Sequence, residues 1–357
     1  MIDKTKYLEL LNNTRKNLNS GSIESINKLI SFVNENKPKS LFRYRNCDER
    51  VIEAFRENKI YFNTSNNFND PYDCLVYCNI EQINNHINNM FIKQEIIKLN
   101  EKINSDNFIK TRPPQMSIEN ATKILSRLKN ENIFDIINSI PNDSLDMVSN
   151  FLKTTTLKTL NEYINYYQHE MPLACLSETY DNILMWSHYA NNHKGFVIEY
   201  DFESLTTKCA KCPENKDVNT CPNWKQVMLL PILYTNERYD ATEYIFDNVL
   251  VNTFKSLKSD FWKLRDDFAQ FKVNIYKHEC WSYEKEWRLQ LYRVNKEKYI
   301  QVKPKAIYLG CRISQCYEDI LVKYALEQNI KIYKMSENPN EIKYTLTRNE
   351  YKVSNVD

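Results

Sequence analysis

Three glycines in 357 residues constrain this chain more than any other feature of its sequence. Glycine is what lets a backbone turn through the left-handed region or press close against a phosphate. Neither a GxGxxG turn nor a Walker loop can be written with three of them, so a nucleotide site built on Gly-rich loops is close to excluded.

The length admits two domains of ordinary size, or one core with a large insertion. An apolar fraction of 42% and an aromatic fraction of 13% supply ample material for packing. Lys plus Arg is 48 and Asp plus Glu is 46, which argues against a protein whose main task is coating nucleic acid. No segment reaches the 18 or more consecutive apolar residues of a spanning helix. The amphipathic start MIDKTKYLELLNNTRKNLNS lacks the apolar run of a signal peptide. The 10 cysteines are scattered, and Cys74, Cys175 and Cys311 sit in apolar strand-like runs. Reduced thiols fit that better than a disulfide framework, so the expected compartment is the cytoplasm, with no membrane partner.

Along the chain, residues 1–38 read as two helices. Ile23, Ile26, Ile30 and Val33 recur at helical spacing behind Gly21-Ser22, and Pro38 closes the section. Residues 39–80 open an α/β core with the strand SLFRYR, a helix DERVIEAFREN with Asp48 as N-cap, the strand KIYFNTS and the turn-rich NNFNDPYD. Residues 81–168 become Asn-, Ile- and Lys-rich with helical periodicity, and read as an insertion of four or five helices. Residues 169–357 return to the core: the strand PLACLSE, the short helix DNILMWSHYA, the strand GFVIEYDF, a Cys loop over 206–224 and the strand VMLLPILYT. A long helix is expected over 241–277. Leu250, Phe254, Leu257, Phe261, Leu264, Phe268, Phe271 and Ile275 alternate four and three residues apart, which is a heptad seam. It suits packing on the helical insertion, or self-association through residues 250–275. Strands EKEWRLQLY and KAIYLGCRI, a helix DILVKYALEQN and a last strand KIYKMS complete the chain.

Several residue groups invite a chemical reading beside a plain one. Arg43 and Arg45 share a strand face by spacing; they line a cleft or merely decorate an edge strand. Asn69-Asp70-Pro71-Tyr72-Asp73 is a turn by composition, with Asp70 or Asp73 free to cap an element or to hold Arg45. Trp186, Ser187, His188 and Tyr189 are four consecutive large or polar residues on one short helix, which cannot bury all of them. His188 is of the residue type that can serve as an acid or base, but it has no partner visible in sequence. Glu284, Glu286 and Arg288 alternate on a strand, as a salt-laced exposed face or as a pocket edge walled by Trp281 and Trp287. Glu286 ranks ahead of Glu284 as the working carboxylate. Cys209, Cys212 and Cys221 stand at C-x2-C-x8-C spacing, which suits a structural zinc if a distant Cys or His supplies the fourth ligand. The alternative is an unmetallated loop.

The series LFRYR, IYFNTSNNFNDPYD, LACLSE, ILMWSHYANNHKGFVIEYDF, CWSYEKEWRL and KAIYLG resembles the bacterial domain-of-unknown-function family 2971 over about residues 40 to 335. Members of that family look like accessory or phage-defence genes, which is context rather than mechanism. The same series is similar in pattern to ADP-ribosyltransferases. That likeness implies an α+β fold with a bent, split β-sheet binding NAD in its cleft, here carrying a large helical insertion and the long heptad-patterned helix. It places Arg43 and Arg45 on the first core strand, Ser177 on a middle strand, Tyr189 on the helix behind it, and Glu284 and Glu286 at the head of a late strand. Trp186 and His188 fall beside the implied NAD site, with Asp70, Asp73 and Arg288 behind it. No clear Ser-Thr-Ser is present, a departure from that pattern.

The implied reaction explains these residue types. Breaking the nicotinamide–ribose bond develops positive charge on the ribose, which a carboxylate stabilises. Arginine forks suit a pyrophosphate, and Tyr offers nicotinamide a flat face. The leading expectation is therefore an NAD-consuming transferase or glycohydrolase, of the toxin or phage-defence kind, with an unknown macromolecular or small-molecule acceptor. A non-catalytic module sensing a nucleotide or phage component is the alternative. A metal-dependent nuclease using Asp70, Asp73, Glu284 and Glu286 is a weaker one.

Overall fold

The computed structural model describes residues 2–16, 22–90, 116–130, 142–206, 227–253, 265–266, 268–291 and 298–352. Helices begin where side chains can take up their free N–H groups. Asp3 caps the helix Lys4–Asn12 by accepting from Thr5 N and Lys6 N, and Asp48 caps Glu49–Arg56 by accepting from Val51 N at 2.9 Å. The helix Ser22–Glu35 lies between them.

The strands, in chain order, begin with β1 (Arg15–Lys16), β2 (Ser40–Arg45), β3 (Lys59–Tyr61), β4 (Leu173–Ser177), β5 (Phe196–Asp201), β6 (Val227–Pro231) and β7 (Leu233–Thr235). They continue with β8 (Arg265–Asp266), β9 (Tyr276–His278), β10 (Glu286–Leu291), β11 (Tyr299–Gln301), β12 (Ala306–Leu309), β13 (Lys331–Glu337) and β14 (Leu346–Glu350). Eight of them form one open mixed sheet in the order β14-β13-β12-β5-β2-β4-β10-β6. Its pairs are antiparallel except β12 with β13, which are joined by the helix Gln315–Glu327. The architecture is α+β.

This sheet is nearly divided in two. β2 pairs with β5 along its whole length, but it meets β4 at the single register pair Phe42–Ser177. At its other end β4 is held by the segment after β3, where Asn63 and Leu173 exchange both backbone hydrogen bonds at 2.8 Å. β2 and β4 thus part from each other, and the gap between them becomes the floor of a cavity.

Alternation along the strands sorts side chains to two faces. Leu41, Phe196, Ile198, Tyr200, Ala174, Leu176, Trp287 and Leu289 enter the main core with Tyr7, Leu11, Val51, Phe55 and Leu321 of the covering helices. Burying them removes apolar surface from water at about 25 cal/mol per Å². On the other face, Phe42, Tyr44, Trp186, Val197 and Tyr308 form a second cluster. Helices Ile80–Met90, Asn142–Asn165 and Thr242–Thr253 pack together, and Tyr167, Met171, Ile245 and Val273 join a third cluster with Cys74 and Val76.

Two of the three glycines serve close backbone crossings. A Cβ on Gly195 would lie 2.1 Å from the Arg45 carbonyl oxygen, and one on Gly310 2.1 Å from that of His193. Between the helix Ile183–Tyr189 and β5 the chain reverses through Asn191, Asn192 and His193 at φ 48°, 53° and 67°. Asn tolerates that region better than most residues.

The single long helix expected over 241–277 does not form. Helix Thr242–Thr253 is followed by β8, a one-turn helix Ala269–Lys272 and β9. Phe254, Leu257, Phe261 and Leu264 lie outside the described residues. Phe268, Phe271 and Ile275 are buried in this chain's own core, where they are not free to pair with a second copy. Their spacing reported burial correctly but not conformation, because strand pairing of β7 with β9 and of β1 with β8 outcompeted the helix. The Cys loop, with Cys209, Cys212 and Cys221, also lies outside the described residues, except for its first residue, Thr206.

Candidate functional site

The cavity at the parting of β2 and β4 has a volume of about 250 Å³. β2 contributes Arg43 and Arg45 to its wall, β4 contributes Cys175 and Ser177, and the helix Ile183–Tyr189 contributes Tyr189. The turn after β3 adds Asn63, Asn67, Asn69 and Asp70. Lys277 of β9 and Glu284 and Glu286 close the opposite side.

Under that side lies an ionic cluster in which no side chain is more than 6 % exposed. Lys277 Nζ reaches Glu284 Oε2 at 2.6 Å, Glu286 Oε2 at 2.9 Å and Asp73 Oδ2 at 3.6 Å. Arg288 donates Nε to Glu286 Oε1 at 2.6 Å and grips Asp73 with both terminal nitrogens, at 2.7 and 2.6 Å. Its Nη1 also donates to the Asn274 carbonyl at 2.8 Å. Such a fork on a carboxylate is the geometry guanidinium provides and ammonium does not.

The two glutamates converge by an irregular route. Glu284 ends the short 3-10 helix Glu279–Glu284, Lys285 adopts a left-handed φ of 45°, and Glu286 starts β10. The expected simple strand alternation of Glu284, Glu286 and Arg288 is therefore corrected: only Glu286 and Arg288 alternate on β10. The turn is pinned by Ser177 Oγ, which donates to the Glu284 carbonyl at 2.6 Å, and by Asn182 Nδ2, which donates to the Tyr283 carbonyl at 3.0 Å. Glu286 N donates to the Tyr234 hydroxyl at 2.8 Å. Tyr189 OH donates to Glu284 Oε1 at 2.5 Å.

The two carboxyls differ electrostatically. Burial pushes Glu284 above the usual carboxylate range, with Lys277 pulling it part of the way back. Burial also works against Glu286, but Arg288 and Lys277 overcome it and hold that carboxyl well below the usual range. Lys277 is desolvated too, yet Glu286 and Asp73 keep its pKa well above the ordinary lysine value. This group has one more carboxylate than cation.

The β2 wall is different. Alternation places Arg43 and Arg45 on the Leu41 side of the sheet, opposite Glu286 and Arg288, and only the gap beside β4 lets both sets meet one cavity. Arg43 Nη2 donates to the Tyr61 carbonyl at 2.7 Å. Burial and the neighbouring Arg45 lower its pKa to about 10, which leaves it a cation at neutral pH. Arg45 is partly buried and lines the cavity. Among the described residues neither arginine forms an ion pair, and Arg45 forms no hydrogen bond.

Other expected residues are placed as follows. Trp186 is fully buried in the second cluster, with its indole N–H on the Tyr180 carbonyl at 2.7 Å, so it belongs to the core. His188 is exposed and outside the cavity wall. Asp70 lines the cavity and accepts from Tyr72 N at 2.9 Å, the turn-capping role. Asp73 holds Arg288 rather than Arg45. Trp287 points to the main core and donates to Glu178, whereas Trp281 stands 5.2 Å from Lys277 Nζ.

Sequence reasoning missed Lys277, Tyr234 and Asn274. The run IYKHEC carries a signal for Lys277, a strand-like alternation after Ile275, but the heptad reading covered it.

No curated protein and no solved structure matches the chain. Residues 185–289 match the model of a family described as a protein of unknown function (DUF2971). That stretch carries Tyr189, Lys277, Glu284, Glu286 and Arg288 and leaves out Arg43 and Arg45. Over it, the chain is similar to this family of unknown function.

Proposed function

We propose that the cavity binds NAD and that the chain cleaves its nicotinamide–ribose bond, as the pattern likeness to ADP-ribosyltransferases suggests. One observation carries this reading: two guanidiniums that form no ion pair among the described residues face the same cavity as a buried carboxylate. Arg45, which forms no ion pair among the described residues, and Arg43 beside it supply donors suited to a pyrophosphate. Glu284 stands where positive charge developing on the ribose would be stabilised in a poorly solvated setting. In the reaction the C1′–N bond breaks and its electron pair leaves with nicotinamide. An acceptor oxygen or nitrogen forms the new bond to C1′ and gives up a proton; with water as acceptor the outcome is hydrolysis.

The ranking of the two glutamates is reversed in this proposal. Both oxygens of Glu286 already serve Arg288 and Lys277, so Glu286 positions Lys277. Among the described residues Glu284 Oε1 has only the Tyr189 phenol, which can turn aside for a ribose hydroxyl.

Nicotinamide release from NAD by the purified protein, with and without host lysate, tests the reading. Glu284→Gln is expected to lower release by about 10²–10³-fold, the usual effect of removing one stabilising group, with NAD binding retained. Binding without release in the wild type would favour the sensing module, a reading supported by how fully the carboxylates are already paired. The nuclease reading lacks comparable support, because Lys277 and Arg288 occupy the positions between the carboxylates that a metal ion would need.

A further inference from the structure

We propose that Asn274 and Gln290 hold one water molecule inside the protein, at the inner end of the polar column that begins at the cavity with Glu286. This hydration site belongs to the fold and does not depend on what the cavity binds.

Alternation along β10 puts Glu286, Arg288 and Gln290 on one face of the sheet, where Gln290 stands opposite Leu173 of β4 and Met228 of β6. Asn274 meets it from the turn between the helix Ala269–Lys272 and β9. Both side chains are fully buried. Asn274 Nδ2 donates to Gln290 Oε1 at 3.1 Å and, at a long 3.4 Å, to the Gln270 carbonyl. Asn274 Oδ1 and Gln290 Nε2 have no hydrogen-bond partner among the described residues. Turning the amides over does not remove this mismatch. A bond between two amides uses one NH2 group and one oxygen, so a donor and an acceptor are left over in either orientation. A buried polar group without a partner is costly, and two on neighbouring side chains are rare in a folded protein.

The leftover pair selects its ligand. A metal ion would satisfy the oxygen and be repelled by the NH2 group, an anion would do the reverse, and an apolar group would serve neither. Water donates to Asn274 Oδ1 and accepts from Gln290 Nε2 at once, which meets the roughly two to four polar partners usual for an internal water. Its place also connects to the ionic cluster. The backbone carbonyl of Asn274 accepts from Arg288 Nη1 at 2.8 Å, and the same guanidinium holds Asp73 and Glu286. The water thus steadies the residue against which Arg288 is seated, one step behind the cavity wall.

The test is a crystal structure of the wild-type chain at a resolution that shows its other internal waters. A density peak about 2.7–3.2 Å from the unpaired atom of each amide is expected. An empty position there, or a protein group partnering both atoms, would overturn the site. Magnetic relaxation dispersion of the water oxygen, recorded on dissolved protein, gives a second reading. The wild type is expected to hold about one more long-lived internal water than Asn274→Leu/Gln290→Met, whose side chains keep similar volumes without the amides. Equal numbers in the two proteins would overturn the site as well. If the double variant does not fold, the wild-type structure decides alone.

Discussion

The two walls of the cavity hold the same kinds of charge in opposite states. On the β9–β10 side, Lys277 and Arg288 are paired with Asp73, Glu284 and Glu286 and are nearly buried. On the β2 side, Arg43 has a carbonyl for a partner, and the Arg45 side chain has no hydrogen bond or ion pair among the described residues. A cation that is paired and buried costs about as much to desolvate as its pairing returns, so its value lies in holding neighbours in place. A cation left facing a cavity keeps its donors for whatever enters. The first wall reads as scaffold with one carboxyl to spare, and the second as a receptor for an anion.

Breaking the scaffold should have the largest effect. Arg288→Met leaves Asp73 and Glu286 buried without their main partner, and a loss of about 3–5 kcal/mol is expected. Urea denaturation measures it; a loss near zero would mean that water already reaches the cluster.

The pH dependence of stability separates the two glutamates next. Glu286 is depressed, so its contribution is present above its unfolded pKa, roughly 4.3, and is lost as pH falls from there through the folded value. Glu284 is raised, so its contribution is present below its unfolded pKa and is lost as pH rises through the folded value. Relative to wild type, Glu286→Gln should therefore recover ground below roughly pH 4, whereas Glu284→Gln should gain on wild type as pH climbs to neutrality. Denaturation curves recorded across that range check both, and parallel profiles would contradict the assignment.

The smallest effect on stability is expected on the receptor wall. Arg45→Met removes no side-chain hydrogen bond or ion pair among the described residues, so stability should stay within about 0.5 kcal/mol. Dinucleotide binding should nonetheless weaken about 10- to 100-fold, the worth of a charge-assisted contact to phosphate. Thermal melting and titration on one preparation give both numbers. Lost stability with unchanged binding would exchange the roles assigned to the walls.

The strands were legible because each carried its own alternation. SLFRYR, LACLS, FVIEYD, EWRLQL, AIYL and KIYKMSE all appear in the main sheet. Caps were legible for the same local reason, as Asp48 shows. VMLLPILYT is divided into β6 and β7 at Pro231 and Ile232, and β14 went unread because LTRNE has little apolar content to mark it. Phe268, Phe271 and Ile275 taught the clearest lesson. Three-and-four spacing marks residues that will be buried, but a turn between short elements can bury them as well as a helix can.

Residue type and local order in this sequence determined which segments become strands, which helices are capped, and that arginines and glutamates stand ready near strand ends. Whether those charges are spent or free was decided only in three dimensions. Asp73 and Arg288 are 215 positions apart in sequence, and Lys277 emerges from a stretch whose spacing suggested a helix. The parting of β2 from β4 lets Arg43 and Arg45 reach a space that strand alternation alone would deny them. Pairing and burial are relations between distant residues, and electrostatic energy depends on the distances and desolvation that only the packed fold sets.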